Sequence, residues 1–209
     1  MPARVPDTAR RLDEPSGPCA AIRVAVMVNV ESQLVLREGV HQRTWEDGNV
    51  VRHPESRHLW FEVDGMDLRD LMPVAQGMLT PLNRAWLDAV PDAVEVLLGN
   101  RAEPGLDPGR IPIFVCPVCG DIPCGAVTAM LSVRDDVVAW TQFQLENGYE
   151  PAKDVAGAPT ELVFDAASYR SAMWGALQRV RAMLFDELEH SGRRFLWPWQ
   201  WGWRLPKDE

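Results

Sequence analysis

The sequence predicts an α+β domain: a mainly antiparallel sheet packed against two or three helices. Three observations carry this reading. Short apolar runs rich in β-branched residues recur along the chain with turn signals between them. Three of those runs follow one another directly between Arg110 and Leu145, which is the pattern of a meander. One long amphipathic repeat, from Tyr169 to Leu188, stands near the C-terminus and marks the longest helix. Locally paired strands with few helices define the class.

In chain order, residues 1–18 hold Pro2, Pro6, Pro15 and Pro18 among polar residues and read as a disordered tail. The stretch AAIRVAVMVNV (20–30) reads as a buried strand, and QLVLR (33–37) as a second, short one. Residues 38–57 are polar, with Asp47-Gly48-Asn49 as a turn between Trp45 and Val50-Val51. A strand HLWFEV (58–63) closes at Asp64-Gly65, and Asp67 caps a short helix that ends before Pro73. Thr80-Pro81 predicts a helix start, with Leu82, Ala85, Trp86, Ala89 and Val90 at helical spacing. Pro91 then breaks or kinks that helix, and residues 92–98 add two turns ended by Gly99.

The meander comprises RIPIFVC (110–116), GAVTAMLSV (125–133) and VVAWTQFQL (137–145). Val127, Ala129, Leu131 and Val133 alternate onto one face of its middle strand. After a loop opened by Asn147-Gly148 comes a short strand (161–164). Asp165 caps the long helix, which carries Tyr169, Met173, Leu177, Val180, Leu184 and Leu188 as its stripe and runs to about His190. The organisation is a tail (1–18), one domain (19–194) and a Trp-rich C-terminal segment (195–209).

Composition narrows the function classes. With 209 residues, of which 46% are hydrophobic, the chain can build a core without metal or disulfides. A net charge of −9 argues against nucleic acid and anionic membrane surfaces as partners, and for solubility. Four cysteines are too few for a disulfide-stapled scaffold. No signal-like or membrane-spanning run is visible, so the expectation is a cytoplasmic protein with reduced thiols.

The one segment with the spacing of a chemical site is CPVCGDIPCG (116–125). It is a loop of the meander and carries Cys116, Cys119 and Cys124. Cys-Pro-x-Cys-Gly is the shape of a metal knuckle, two thiolates on a tight turn with Gly where the backbone turns left-handed. Four readings compete. In the first, the three cysteines bind zinc, with a fourth ligand from Cys19, His41, His53 or His58. Asp121 is close in sequence but is an unusual companion for three thiolates. The C-x2-C-x4-H-x4-C pattern matches in its first three positions, with Cys124 in place of His, but its fourth falls on Ala129. The second reading is a thiol redox site built on the Cys116–Cys119 pair, although no helix pattern follows that pair. An iron–sulfur cluster is the third, and the spacing fits neither ferredoxin run. In the fourth, the cysteines only pack a tight loop.

The segment from Phe114 through Glu146, with its CPVCGDIPCG run and following Val-Val-Ala-Trp strand, resembles a group of uncharacterised actinobacterial proteins. Those share a C-P-x-C-G-D-x-x-C-G segment and a Val-x-Trp-x-x-Phe strand. Asp64-Gly65-x-Asp67-Leu68 and Phe164-Asp165-x-x-x-Tyr169 are similar to the same group. The resemblance implies one domain. Some members carry an oxidoreductase label, and the resemblance names no catalytic residue or cofactor.

His53 and His58 flank a loop and read as solvated. Asp135-Asp136 sits on a hairpin turn, where solvation explains it. Trp197, Trp199, Trp201 and Trp203 alternate, so an extended chain turns all four indoles one way. They either fold over the domain or form a partner-binding stripe, since Trp dominates interface hot spots. The expectation is a non-catalytic binding module with a three-cysteine loop, zinc as its candidate cofactor and a protein as its partner. A thiol oxidoreductase is the alternative.

Overall fold

The computed structural model describes residues 31–41, 44–46, 50–52 and 55–185. The tail, the strand expected at 20–30, Cys19, His53, His190 and the tryptophans at 197, 199, 201 and 203 lie outside the described residues. Among the described residues the architecture is α+β, as the sequence predicts, with antiparallel sheets and two α-helices.

The first sheet pairs β1 (Leu34–His41) with β4 (Ser56–Val63), which continues into β5 (Met66–Asp67). Strand β1 runs four residues beyond the expected end at Arg37, because Glu38 to His41 find partners in Leu59 to Ser56. A polar stretch thus becomes strand through pairing rather than burial. Between them, β2 (Thr44–Glu46) and β3 (Val50–Arg52) form the hairpin that the Asp-Gly-Asn turn announces.

The second sheet is the meander. Strands β6 (Arg110–Val115), β7 (Ala126–Val133) and β8 (Val137–Glu146) pair in order; β10 (Glu161–Asp165) adds to β8, and β9 (Lys153–Asp154) pairs with its end. Bulges interrupt the β6–β7 and β7–β8 registers. They explain why the expected alternation along β7 fades: Val127 and Ala129 are buried, Leu131 is half-buried and Val133 is exposed. Every residue of β6 is buried although it ends the sheet. Its outer edge is closed by Leu79, which exchanges two backbone hydrogen bonds with Val115 (3.2 and 2.7 Å).

Helix α1 (Val90–Leu97) corrects the expected helix start at Thr80-Pro81. The Thr80 side chain is buried and its hydroxyl donates to the Leu59 carbonyl, so it ties a loop to β4 instead of capping a helix. Residues 84–86 form a single 3₁₀ turn, capped by Asn83 through Ala85 N–H (2.9 Å). Pro91 occupies the first turn of α1, where its missing N–H costs nothing, so it begins the helix it was expected to break. Asp67 does cap its short 3₁₀ turn (Leu68–Leu71), accepting from Arg69 N–H at 2.9 Å.

Helix α2 (Ala166–Ala182) is capped by Asp165, which accepts from Ser168 N–H at 2.7 Å. It ends short of the expected His190. Met183 is pulled out of the helix and buried, and its carbonyl accepts from Arg84 Nε at 3.3 Å. Tyr169, Met173, Ala176 and Val180 form the buried stripe, whereas Leu184 is exposed.

Trp140 of β8 sits at the centre of the core. Its ring meets Phe61 (5.3 Å), Phe164 (5.1 Å) and Tyr169 (5.9 Å) edge-on, joining the two sheets and α2. Trp140 Nε1–H donates to Tyr169 Oη (3.2 Å), and Tyr169 donates to the Leu97 carbonyl (2.7 Å). The relay satisfies a carbonyl at the C-terminal end of α1. No described helix is long and apolar enough to cross a membrane.

Candidate metal centre

The thiol loop is an extension of β6 and β7. Val115, held on one side by Ala126 and on the other by Leu79, delivers Cys116 at a fixed point. Pro117 and Val118 turn the chain. Gly120 adopts φ +77°, and its N–H donates to the Cys116 carbonyl at 2.9 Å. A single 3₁₀ turn, Ile122–Cys124, brings the third cysteine back, and Gly125 at φ +123° returns the chain to β7.

Two contacts brace the loop from outside. A Cβ on Gly120 would lie 3.2 Å from Cδ2 and Cε2 of Trp86, so the indole rests directly on the knuckle glycine. A Cβ on Gly148 would lie 3.2 Å from Cβ of Pro123. Gly148 follows the end of β8, where Glu146 is held by the buried Arg110 (Nε–Oε1 2.7 Å). Arg110 also donates to Thr128 Oγ1 and to the carbonyl of Gln142, a bulge residue at φ +50°.

The three sulfurs lie within 4.8 Å of one another. All three thiols are free; Cys119 and Cys124 are exposed and Cys116 is half-buried. Tetrahedral zinc, with Zn–S near 2.3 Å, holds its sulfurs about 3.8 Å apart, a spacing this cluster can meet. Burial opposes a thiolate at Cys116, but hydrogen bonds from the N–H groups of Cys119 and Val118, and from the other two thiols, outweigh it and hold this thiol below its ordinary value. Cys119 goes the other way. Burial, then the neighbouring Cys124 and Cys116, push it up to about 12 against a hydrogen bond from the Asp121 N–H. The loop therefore gathers three thiols around a position where a cation would relieve their mutual repulsion.

The fourth-ligand expectations divide. His58 is 1% exposed on β4, its Nδ1 3.4 Å from the Ser56 carbonyl and its ring edge-on to Trp60 at 6.0 Å. Burial, aided by the Arg69 and His41 charges, pulls it down to about 4. It is a core histidine, not the solvated loop residue expected. His41 ends β1, opposite Ser56. Among the described residues neither histidine, nor the carboxylate of Asp121, joins the sulfur group. Cys19 and His53 lie outside the described residues, as do Trp197, Trp199, Trp201 and Trp203.

Sequence reasoning missed Trp86 and Leu79, which fix the loop from a segment about 35 residues upstream. Trp86 reads as a residue of the helix expected from Thr80, Leu79 carries no signal, and nothing local announces a contact at that separation. Two of the exposed large hydrophobics stand near the site: Val118 (60%) is in the loop and Tyr149 (86%) follows Gly148.

The fold and this cluster define an α+β domain with a three-thiol knuckle between two strands of its meander. No family model, curated protein or solved structure matches the chain.

Proposed function

We propose that this protein is a non-catalytic binding domain whose three-thiol loop, Cys116, Cys119 and Cys124, holds a structural zinc ion. One observation carries the reading: three sulfurs within 4.8 Å, on a tight turn closed by the Gly120 N–H on the Cys116 carbonyl at 2.9 Å. In this reading the fourth position belongs to a donor outside the described residues, with Cys19 and His53 the candidates. The ion stiffens the loop, and exposed Val118 in the loop, with exposed Tyr149 next to the Gly148 that packs on Pro123, are its contacts for a protein partner. The test is elemental analysis of untagged, purified chain. Near one zinc per chain, lost in C116S and C119S, is expected; a fully folded, metal-free sample that also refuses added zinc would overturn it.

The second reading, a thiol redox protein, is favoured by the opposite shifts of Cys116 and Cys119, which separate a reactive thiol from its neighbours. Thiol titration before and after mild peroxide decides it. Loss of two of the four thiols per chain with a new disulfide between loop cysteines supports redox chemistry, and four unchanged thiols exclude it.

A further inference from the structure

The loop sulfurs form a trigonal set: three donors from one short segment, two of them open to solvent, with no fourth His, Cys, Asp or Glu among the described residues. A tetrahedral ion needs a further donor. A trivalent metalloid does not, since three bonds satisfy its valence and its lone pair takes the fourth direction. Soft thiolates select soft acceptors, and a set made only of sulfur, without imidazole or carboxylate, sits at the soft extreme. We propose that the loop is a binding site for trivalent arsenic, taken up as arsenite through Cys116, Cys119 and Cys124. The inference deepens the proposed metal–thiolate reading, since it uses the same three donors, and it names a different ligand class for them.

The chemistry balances without a redox partner. Arsenite at neutral pH is an uncharged trihydroxide. Each sulfur forms one S–As bond as one As–O bond breaks, and the departing hydroxide leaves with the thiol proton as water. Three such exchanges release three waters, and arsenic stays trivalent throughout. The exposed sulfurs of Cys119 and Cys124 give access, and the half-buried Cys116 forms the floor.

Pre-organisation gives the protein an advantage over free thiols. Trp86 on Gly120, Pro123 against Gly148 and the Leu79–Val115 bridge gather the sulfurs before any ligand arrives. Three separate small thiols must each surrender translational freedom to make the same adduct, whereas the loop loses little.

The experiment titrates sodium arsenite into the reduced, metal-free full-length chain. Intact mass and the near-ultraviolet sulfur–arsenic absorption are read, with millimolar glutathione as competitor. A one-to-one adduct is expected, heavier by one arsenic less three hydrogens and retained against glutathione. Each of C116S, C119S and C124S should weaken binding on the order of 100-fold, because each removes one chelating arm. Circular dichroism confirms that the variants fold, and the exposed positions Cys119 and Cys124 keep the test open if C116S does not. An adduct that keeps a hydroxyl, a folded variant that binds as well as the parent, or loss of arsenic to glutathione would overturn the proposal. A parallel zinc titration separates the two readings. Zinc bound with arsenite refused removes this inference and leaves the zinc reading standing; arsenite bound with zinc refused does the reverse.

Discussion

Gly120 answers two independent demands at once. Its φ of +77° is open to glycine at no steric cost, and its missing Cβ leaves room for the Trp86 ring, which would lie 3.2 Å from a Cβ there. G120A should cost about 1–3 kcal/mol and, on the proposed zinc reading, weaken zinc binding, because strain and the displaced indole both fall on the turn that gathers the sulfurs. Denaturant unfolding and zinc competition check the two effects separately. His58 supports a pH prediction. Burial lowers its pKa to about 4, while the unfolded chain carries an ordinary histidine near 6.5. Between those values the unfolded state holds the extra proton, so stability should fall as pH drops from about 6.5 towards 4, by at most about 1.4 kcal/mol per pH unit. The slope should shrink in H58Q; an unchanged slope in that variant would assign the acid sensitivity to other groups.

At the scale of elements, two polar devices join strands and helices that pattern alone leaves separate. The Trp140–Tyr169–Leu97 relay fastens α2 to the end of α1 through the middle of the core. Y169F removes one hydroxyl and leaves both the indole N–H and the carbonyl without it, so a loss of about 1–3 kcal/mol with an unchanged denaturant slope is expected. Arg110 ties β6 to the end of β8 through Glu146, Thr128 and the Gln142 carbonyl. R110M strands a largely buried carboxylate and should cost on the order of 3–5 kcal/mol, whereas R110M combined with E146L should recover much of that loss. Thermal melts of the single and double variants measure the coupling.

For the whole molecule, the thiol loop and the core are separate sources of order. The ring cluster around Trp140 spans both sheets and α2 without any contribution from the loop. If the loop holds zinc as proposed, chelator treatment should therefore leave far-ultraviolet circular dichroism and cooperative unfolding intact. It should change the emission of Trp86, which lies on the loop glycine. Collapse of the aromatic near-ultraviolet signal on chelation would mean that the ion supports the entire fold.

Much of this architecture was readable in the chain. The meander, the Asp165 and Asp67 caps and the three-cysteine loop follow from local periodicity, capping chemistry and turn residues, each of which acts within a few positions. The failures share one cause. Thr80-Pro81 carries the local signature of a helix start, but Thr80 is claimed by a carbonyl of β4. The stripe of α2 continues past Ala182 in sequence, but Arg84 and the burial of Met183 end the helix there. His58 opens the expected strand but reads as solvated beside the 54–57 loop, and packing of β4 buries it. The sequence by itself determined the class of fold and which three thiols share a loop, because those properties are local. Only the tertiary structure decided that the three sulfurs converge, that Trp86 and Leu79 hold them there and that neither His41 nor His58 joins them. Those are contacts between segments far apart in the chain, and no short-range pattern encodes them.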